Sequence, residues 1–126
     1  LSSSSAASDV YKRQVKIYKG TMVSVRADGY AYPARSGTST DNFVGVAYET
    51  VDNSSGSAGA KSIRIQNSGT YIFNKASAAV TDNGIAFYAS DDNTLTATST
   101  NNQLVGYGVE NIGTTALRIR IDFAAK

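Results

Sequence analysis

The sequence predicts an all-β protein, a single-domain sandwich or partly open barrel of short, mostly antiparallel strands with little or no helix. Eight to ten short strand-like segments recur at roughly 8–12-residue spacing, separated by turn residues, and none has a helical period. At 126 residues the chain is long enough to bury a core in one domain. It contains no cysteine, which excludes a disulfide framework and a thiolate metal site.

We expect the fold to be organised around residues 43–74, which contain three predicted strands. These strands are 43–51, 61–66 and 70–74. In the middle one, Ile63 and Ile65 alternate with polar residues, which is typical of a sheet with one dry face. A Ser/Gly-rich exposed loop at 52–60 and a tight turn at 67–69 join the three.

Three strands are predicted before this segment, at 15–19, 21–26 and 30–32. Met22 is expected on one face of the second of these strands and Val23 on the other. Asp28 and Gly29 predict a two-residue type I′ hairpin, because glycine accepts the positive φ of that turn. Pro33 is expected to end the pairing, because it has no N–H to donate.

After residue 74, we expect one helical turn at 75–80 and then four strands. The strands are 85–89, 94–98, 103–112 and 116–123. The side chains expected to face the core are Ile85, Phe87, Leu95, Ala97, Leu117, Ile119, Ile121 and Phe123. Two strands are each expected to place three side chains on one face: Val44, Val46 and Tyr48 in the first, and Val105, Tyr107 and Val109 in the second.

The domain is predicted to span residues 15–126 and to be preceded by a segment that does not contribute to it. Residues 1–14 read LSSSSAASDVYKRQ, and the last six match the translation of a transposase mosaic end used in sequencing libraries. We expect residues 1–14 to be either a translated sequencing adapter or a disordered arm. If these residues are a translated adapter, we expect the native N-terminus to be missing from this sequence.

Composition argues against several classes of function. The chain has no histidine, the commonest general base and metal ligand, and we predict no catalytic residues, no metal and no cofactor. A net charge of +2 is too small for a nucleic-acid partner. No apolar run approaches the ~20 residues of a membrane helix, and we expect neither a membrane nor a small-molecule substrate as partner.

Three motifs that resemble active-site elements are better interpreted as a loop, a turn and exposed strand residues. Residues 56–62 have the wrong glycine spacing for a phosphate loop and precede a strand rather than a helix. Residues 91–93 lack the spaced ligands of a calcium loop and predict a polar turn. Glu49 and Glu110 would be a carboxylate pair for glycoside hydrolysis only if the fold brought them together, and exposed strand positions are the simpler interpretation.

Tyrosine is abundant, with eight residues in the chain. Most tyrosines fit half-buried strand positions, and a row of them would also suit stacking on a sugar. Tyrosine is enriched at protein interfaces as well. Our candidate interface residues are Tyr18, Tyr30, Tyr32, Tyr48, Arg118 and Arg120.

From residue 17 to residue 122, the chain resembles bacteriophage capsid decoration (cement) proteins of the DUF2190-like group. The resemblance rests on the order and spacing of phrases that are individually generic. They are IYKGTMVSV, GYAYPA, FVGVAYETVDNSSGSAGAKSIRIQNSGTYIF, TDNGIAFYASDDNTLT and LVGYGVENIGTTALRIRIDF. The N-terminal segment departs from the family pattern.

The resemblance implies a virion structural protein that is made in the bacterial host cytoplasm and binds the outside of an assembled phage head. Its partner would be the major capsid protein, and its form a homotrimer at local three-fold positions. A protein that binds only the expanded shell adds its binding free energy to that state alone. A carbohydrate-binding or adhesion β module is the alternative function.

Overall fold

A computed structural model describes residues 4–5, 16–55 and 61–122, which form twelve strands and one 3₁₀ turn. The strands are β1 (Ser4–Ser5), β2 (Lys16–Ile17), β3 (Met22–Val25), β4 (Ala31–Pro33), β5 (Asn42–Ala47), β6 (Val51–Asp52), β7 (Ile65–Gln66), β8 (Ser68–Asn74), β9 (Ala86–Ala89), β10 (Leu95–Thr96), β11 (Leu104–Ile112) and β12 (Ala116–Asp122), and the 3₁₀ turn is Val80–Asp82. The predicted all-β class is confirmed. The strands outnumber the predicted eight to ten because five of them are two-residue pairings.

The strands form two five-stranded sheets and a small ribbon, and all of their pairings are antiparallel. The first sheet has the order β1-β7-β5-β3-β4, the second sheet has the order β10-β9-β11-β12-β8, and the ribbon pairs β2 with β6. Asn74 at the end of β8 also bridges Thr94 beside β10. This bridge connects the end of β8 to the segment beside β10.

Two apolar cores lie on opposite faces of the first sheet. The first core fills the space between the two sheets and includes Met22, Phe43, Val46, Phe73, Phe87, Leu95, Val105, Leu117, Ile119 and Ile121. The second core covers the other face of the first sheet and consists of Ile17, Val23, Ala31, Ala47, Ile63 and Ile65. The alternation predicted for Ile63 and Ile65 is confirmed, as is the burial of Leu117, Ile119 and Ile121.

A bulge in β5 overturns the faces predicted for that strand. Val23 pairs with Gly45 and Ser24 with Phe43, so Val44 is an extra residue in the ladder. Val46 consequently lies in the first core while Val44 packs against the second. Gly45 permits the bulge, because its φ is +154° and a Cβ there would collide with the carbonyl oxygen of Gln66. The predicted strand 43–51 is also interrupted after Ala47, and β6 begins only at Val51.

Two bulges in β11 overturn the prediction that Val105, Tyr107 and Val109 share a face. The register shifts between Leu104 and Gly106 against β9, and between Gly108 and Glu110 against β12. Val105 is therefore fully buried, whereas Tyr107 and Val109 are about half exposed. Each bulge reverses the face on which the next side chain emerges.

Two side chains that were predicted to be buried are exposed because they lie outside the paired part of their strands. Ile85 precedes β9 and is 47% exposed, and Ala97 follows β10 and is also exposed.

The helical turn predicted at 75–80 lies instead at Val80–Asp82, where the carboxylate of Asp82 accepts a hydrogen bond from the N–H of Ala79 at 3.1 Å.

Two predicted turns have a different geometry. The turn at 67–69 is not a hairpin, because β7 belongs to the first sheet and β8 to the second, so the chain crosses between sheets at Asn67. The β3–β4 hairpin has a three-residue loop rather than a type I′ turn. Gly29 donates to the carbonyl of Arg26 at 2.8 Å, and Gly29 alone in this loop has a positive φ.

Some predictions fall wholly or partly on residues outside the described ranges. The backbone of Ser4–Ser5 pairs with β7, and the rest of the segment 1–14 is not described, so its interpretation as an adapter or disordered arm stays a prediction. Residues 56–60 of the predicted exposed loop and Phe123 are likewise outside. Within that loop Asn53 is buried, contrary to expectation.

Candidate protein-interaction surface

The solvent-facing side of the second sheet, which we call the outer face, carries a compact set of apolar and charged side chains. β12 lies between β11 and β8, and its buried residues alternate with Arg118 and Arg120. Cross-strand pairing places Arg118 between Ile72 of β8 and Glu110 of β11. Arg120 lies in the neighbouring row, between Thr70 of β8 and Tyr107 of β11. The rows join residues from three strands into one surface.

Large apolar side chains are exposed mainly around this sheet. Seven such residues are at least two-fifths exposed in the described part of the chain, and five of them lie on the second sheet or next to it: Ile72, Val80, Ile85, Tyr107 and Val109. On the outer face itself, Ile72 is 48%, Tyr107 51% and Val109 44% exposed. Apolar residues grouped beside cations are a common composition for a protein-binding patch.

The charges of the outer face are incompletely paired within the described residues. The guanidinium Nε of Arg118 donates to the carboxylate of Glu110 at 3.1 Å, in an exposed ion pair. Arg120 is exposed and forms no ion pair with any described residue. The face is therefore able to attract a negatively charged group through Arg120.

Glycines on the inner side of β11 explain how the exposed residues reach the outer face. Gly106 and Gly108 are buried, and a Cβ at either would collide with a backbone carbonyl, that of Arg120 or of Asp82. The bulges that bring the glycines inward turn Tyr107 and Val109 outward. Neither of these residues, nor Ile72, is among the interface residues predicted from the sequence. The alternation of glycine with large residues in YGVE and LVGYG is the signal that could have found them.

The six predicted interface residues divide between the two halves of the molecule. Arg118 and Arg120 lie on the outer face of the second sheet. Tyr18 follows β2 and is 52% exposed, and Tyr48 follows β5 and is 43% exposed. Each of these two rings has a cation nearby, Lys16 Nζ at 4.9 Å from the Tyr18 centroid and the Arg64 guanidinium at 5.3 Å from that of Tyr48.

The remaining two predicted residues belong to the β3–β4 hairpin. Tyr30 is half-buried, and Tyr32 is only 7% exposed. The Tyr32 hydroxyl donates to the carboxylate of Asp28 at 2.7 Å, and its ring lies 3.8 Å from the guanidinium of Arg26. Tyr32 therefore contributes mainly to the packing of its own hairpin.

A buried carboxylate organises the charges next to this hairpin. Asp41, with a side chain only 1% exposed, accepts two hydrogen bonds from Arg35 at 2.8 and 3.2 Å. That hydrogen bonding raises the pKa of the Arg35 guanidinium above its ordinary value. Arg26 Nε lies 3.9 Å from the same carboxylate. The cluster ties the loop after β4 to the start of β5, and each Asp41 oxygen already accepts a hydrogen bond from Arg35.

A cavity of about 400 Å³ lies where the starts of β5 and β11 meet. Its described lining residues are Ser39, Asp41, Asn42, Phe43, Asn102, Gln103 and Leu104, and none is a tyrosine. The Gln103 amide nitrogen donates to the carbonyl of Arg35 at 2.8 Å, and its oxygen accepts from the hydroxyl of Ser24. Both ends of the Gln103 amide are thus already engaged with the protein.

The acidic residues singled out in the sequence occupy separate places. Glu49 accepts a hydrogen bond from the N–H of Arg64 at 3.3 Å, while Glu110 is on the outer face. Asp91 accepts from the N–H of Asn93 at 2.9 Å, which is a polar turn. Burial and the neighbouring Asp91 raise the pKa of Asp92. The described residues contain no group of three or more acidic side chains positioned to hold a metal ion.

Residues 16–55 and 61–122 include no helix with the length and apolar character that crossing a membrane would require. Comparison with protein-family models, with curated proteins and with solved structures gave no match in any of the three cases. Among the described surfaces, the outer face of the second sheet is the best candidate for a functional site.

Proposed function

We propose that this protein is a bacteriophage capsid decoration protein that binds the outer surface of the assembled head and stabilises it, acting as a homotrimer. The observation that carries the proposal is the ordered series of phrases between residues 17 and 122 that resembles the decoration family. The outer face supplies the kind of surface such a role needs, with exposed Ile72, Tyr107 and Val109 beside Arg118 and Arg120.

The physical basis of stabilisation is linkage. Expansion of the shell creates a composite binding site shared by neighbouring capsomers. A decoration protein that binds only this site adds its binding free energy to the stability of the expanded state. Many copies on one shell act together, so no single contact has to be strong. A sandwich with two buried cores supplies a stiff body for bridging neighbouring subunits.

The test is to mix the purified full chain with unexpanded and expanded heads of the phage whose genome carries this coding sequence, and to measure the bound protein after sedimentation. We expect binding at a fixed stoichiometry to expanded heads only, and a higher temperature of head disruption. Protein that remains monomeric and never sediments with expanded heads would contradict the proposal. Adjacent genes for a major capsid protein, protease and portal would support it.

A carbohydrate-binding module remains the alternative proposal. Such a module requires exposed tyrosines that line one groove. Here Tyr18 follows β2 and Tyr48 follows β5, whereas Tyr107 lies on the outer face of the second sheet. Saturable binding of a glycan that protects these rings, together with no binding to heads, would favour this alternative.

A further inference from the structure

The strand β8 is an open edge of the second sheet. It has seven residues, SGTYIFN, and pairs with β12 along its whole length on one side. On the other side, the bridge between Asn74 and Thr94 is its only pairing with described residues. It contains neither a charged residue nor a proline, the devices that usually protect a sheet edge from pairing with another chain. The other two long strands of this sheet, β11 and β12, lie in its interior.

Hydrogen bonds at the end of β8 show which backbone groups point to the open side. The N–H of Asn74 donates away from β12, to the carbonyl of Asn93 at 3.0 Å, whereas the N–H of Lys75 donates toward Thr115, which precedes β12, at 2.9 Å. The β8–β12 register is regular from Ser68 to Asn74. Because backbone groups alternate in an antiparallel strand, Thr70 and Ile72 also direct their N–H and C=O groups away from β12.

Among the described residues, the open edge is covered at both ends and uncovered in the middle. The Asn74 N–H is bonded to Asn93, and the Ser68 carbonyl lies 2.8 Å from the hydroxyl of Tyr71. Thr70 and Ile72 are exposed, and no described residue bonds to their outward backbone groups. Their two N–H and two C=O groups form a short window that fits an extended segment.

The side chains beside this window indicate what such a segment contains. An added strand would lie about 4.8 Å from β8 and about twice that from β12. A residue opposite Thr70 would face Arg120 across this small side chain, so a Glu or Asp there reaches the guanidinium, which forms no ion pair with any described residue. The residue two positions away would lie on the same face and cover Ile72, so an apolar side chain is favoured there.

We propose that the edge at residues 70–72 receives an extended segment of the major capsid protein, with the pattern acidic–any–apolar, as a sixth strand of the second sheet. This inference rests on the proposed function and names the contact through which it acts. The shell protein fits better than β8 of a second copy, because β8 contains no acidic residue to meet Arg120.

The experiment compares amide hydrogen exchange in the free full chain and in the chain bound to expanded heads. We expect the exchange of the Thr70 and Ile72 amides to slow by at least about tenfold on binding. The Tyr71 amide, which points to β12, is the internal control and should change far less. A protected pair around an unchanged neighbour is a pattern that burial of the outer face alone would not produce.

Two variants test the contact by binding. Ile72→Lys places a cation at the window, and Thr70→Pro removes an outward N–H while leaving the bonds to β12 in place. Each should reduce binding to expanded heads by at least about tenfold, which corresponds to ~1.4 kcal/mol. The matched control is Val80→Lys, which adds the same charge at an exposed apolar residue outside β8 and should bind like the parent chain. Equal urea midpoints would show that all variants fold.

Each outcome is decisive. If the parent chain does not bind expanded heads, the proposed function fails and this inference fails with it. If the parent binds but Thr70 and Ile72 stay unprotected and Ile72→Lys binds normally, the edge contact is wrong while the function stands. If the two amides become protected in free protein as its concentration rises, a second copy occupies the edge and the capsid segment does not.

Discussion

The two sheets of this protein differ in how many of their faces are buried. In the first sheet, the consecutive residues Met22 and Val23 of β3 are both fully buried, one in each core. In the second sheet, Ile119 of β12 is fully buried and the next residue, Arg120, is exposed. The first sheet is therefore the middle layer of the molecule, and the second sheet is an outer layer.

Because of this difference, we expect the first sheet to contribute mainly to stability and the outer face of the second sheet to be available for recognition. A strand buried on both faces is mostly apolar and leaves no exposed side chain for a partner, as in MVSV of β3, where even the polar Ser24 is buried. In a strand buried on one face, such as ALRIRID of β12, the outward residues can be substituted with little effect on the free energy of unfolding. Substitutions that affect binding alone are therefore expected on the second sheet.

The largest effects on the free energy of unfolding are expected from truncating buried side chains, including one on each face of β3. Met22→Ala and Ile119→Ala should each lower the free energy of unfolding by about 2–5 kcal/mol, and Val23→Ala by roughly 2 kcal/mol, because each leaves a cavity. Arg120→Ala should change it by less than about 0.5 kcal/mol. Urea unfolding of the four variants is the measurement. A negligible effect of Val23→Ala would mean that the second core does not contribute to stability.

A smaller effect is expected at the polar contact that joins the two sheets. Gln103→Leu leaves the Ser24 hydroxyl and the Arg35 carbonyl without their partner and should lower the unfolding free energy by about 1–3 kcal/mol. Adding Ser24→Ala removes one of these unpaired groups, so the double variant should be more stable than Gln103→Leu alone. Additive effects of the two substitutions, measured in a double-mutant cycle, would show that the contact does not couple the sheets.

The sequence best predicts the strands that are buried on one face and exposed on the other. In β12, strict alternation identifies Leu117, Ile119 and Ile121 as core residues, and each is at most 1% exposed. The pattern is sufficient there because β12 pairs without interruption with β8. The all-β class follows from the same kind of local evidence, repeated along the chain.

What the sequence does not predict depends on residues distant in the chain. The bulges in β5 and β11 are defined against partner strands, so the face of Val46, Tyr107 or Val109 cannot be obtained from its own segment. The crossing at Asn67 has the composition of a hairpin turn but joins different sheets. The candidate site was found in part, since Arg118 and Arg120 were predicted and their apolar neighbours were not.

A pH-dependent effect is expected where the first sheet meets the segment before β10. The Asp92 carbonyl accepts a hydrogen bond from the N–H of Met22 at 2.8 Å, and burial, together with Asp91, raises the pKa of the Asp92 carboxyl above its ordinary 3.8. A raised folded-state pKa means that the charged form destabilises the fold above that pKa, and that this penalty disappears as the pH falls below the unfolded-state value.

Asp92→Asn should therefore stabilise the protein at pH 7, by less than about 1 kcal/mol, and should have no stabilising effect near pH 3. Urea midpoints at the two pH values check the sign. Titration of the Asp92 carboxyl in Asp91→Asn should show its pKa moving back toward the ordinary value, because one repelling charge is gone. A stabilisation that persists unchanged at pH 3 would exclude charge burial as its cause.

The smallest effect is expected on the outer face, at the ion pair between Arg118 and Glu110. Both side chains are solvent-accessible, at 36% and 60%, so water and salt screen a contact of 3.1 Å. A double-mutant cycle with Arg118→Ala and Glu110→Ala should give a coupling of about 0.2–1 kcal/mol that decreases at high salt. A coupling above this range would mean that the outer face contributes to folding. With a small coupling, any large loss of head binding in these variants reports the interface itself, since the buried side of β12 remains intact.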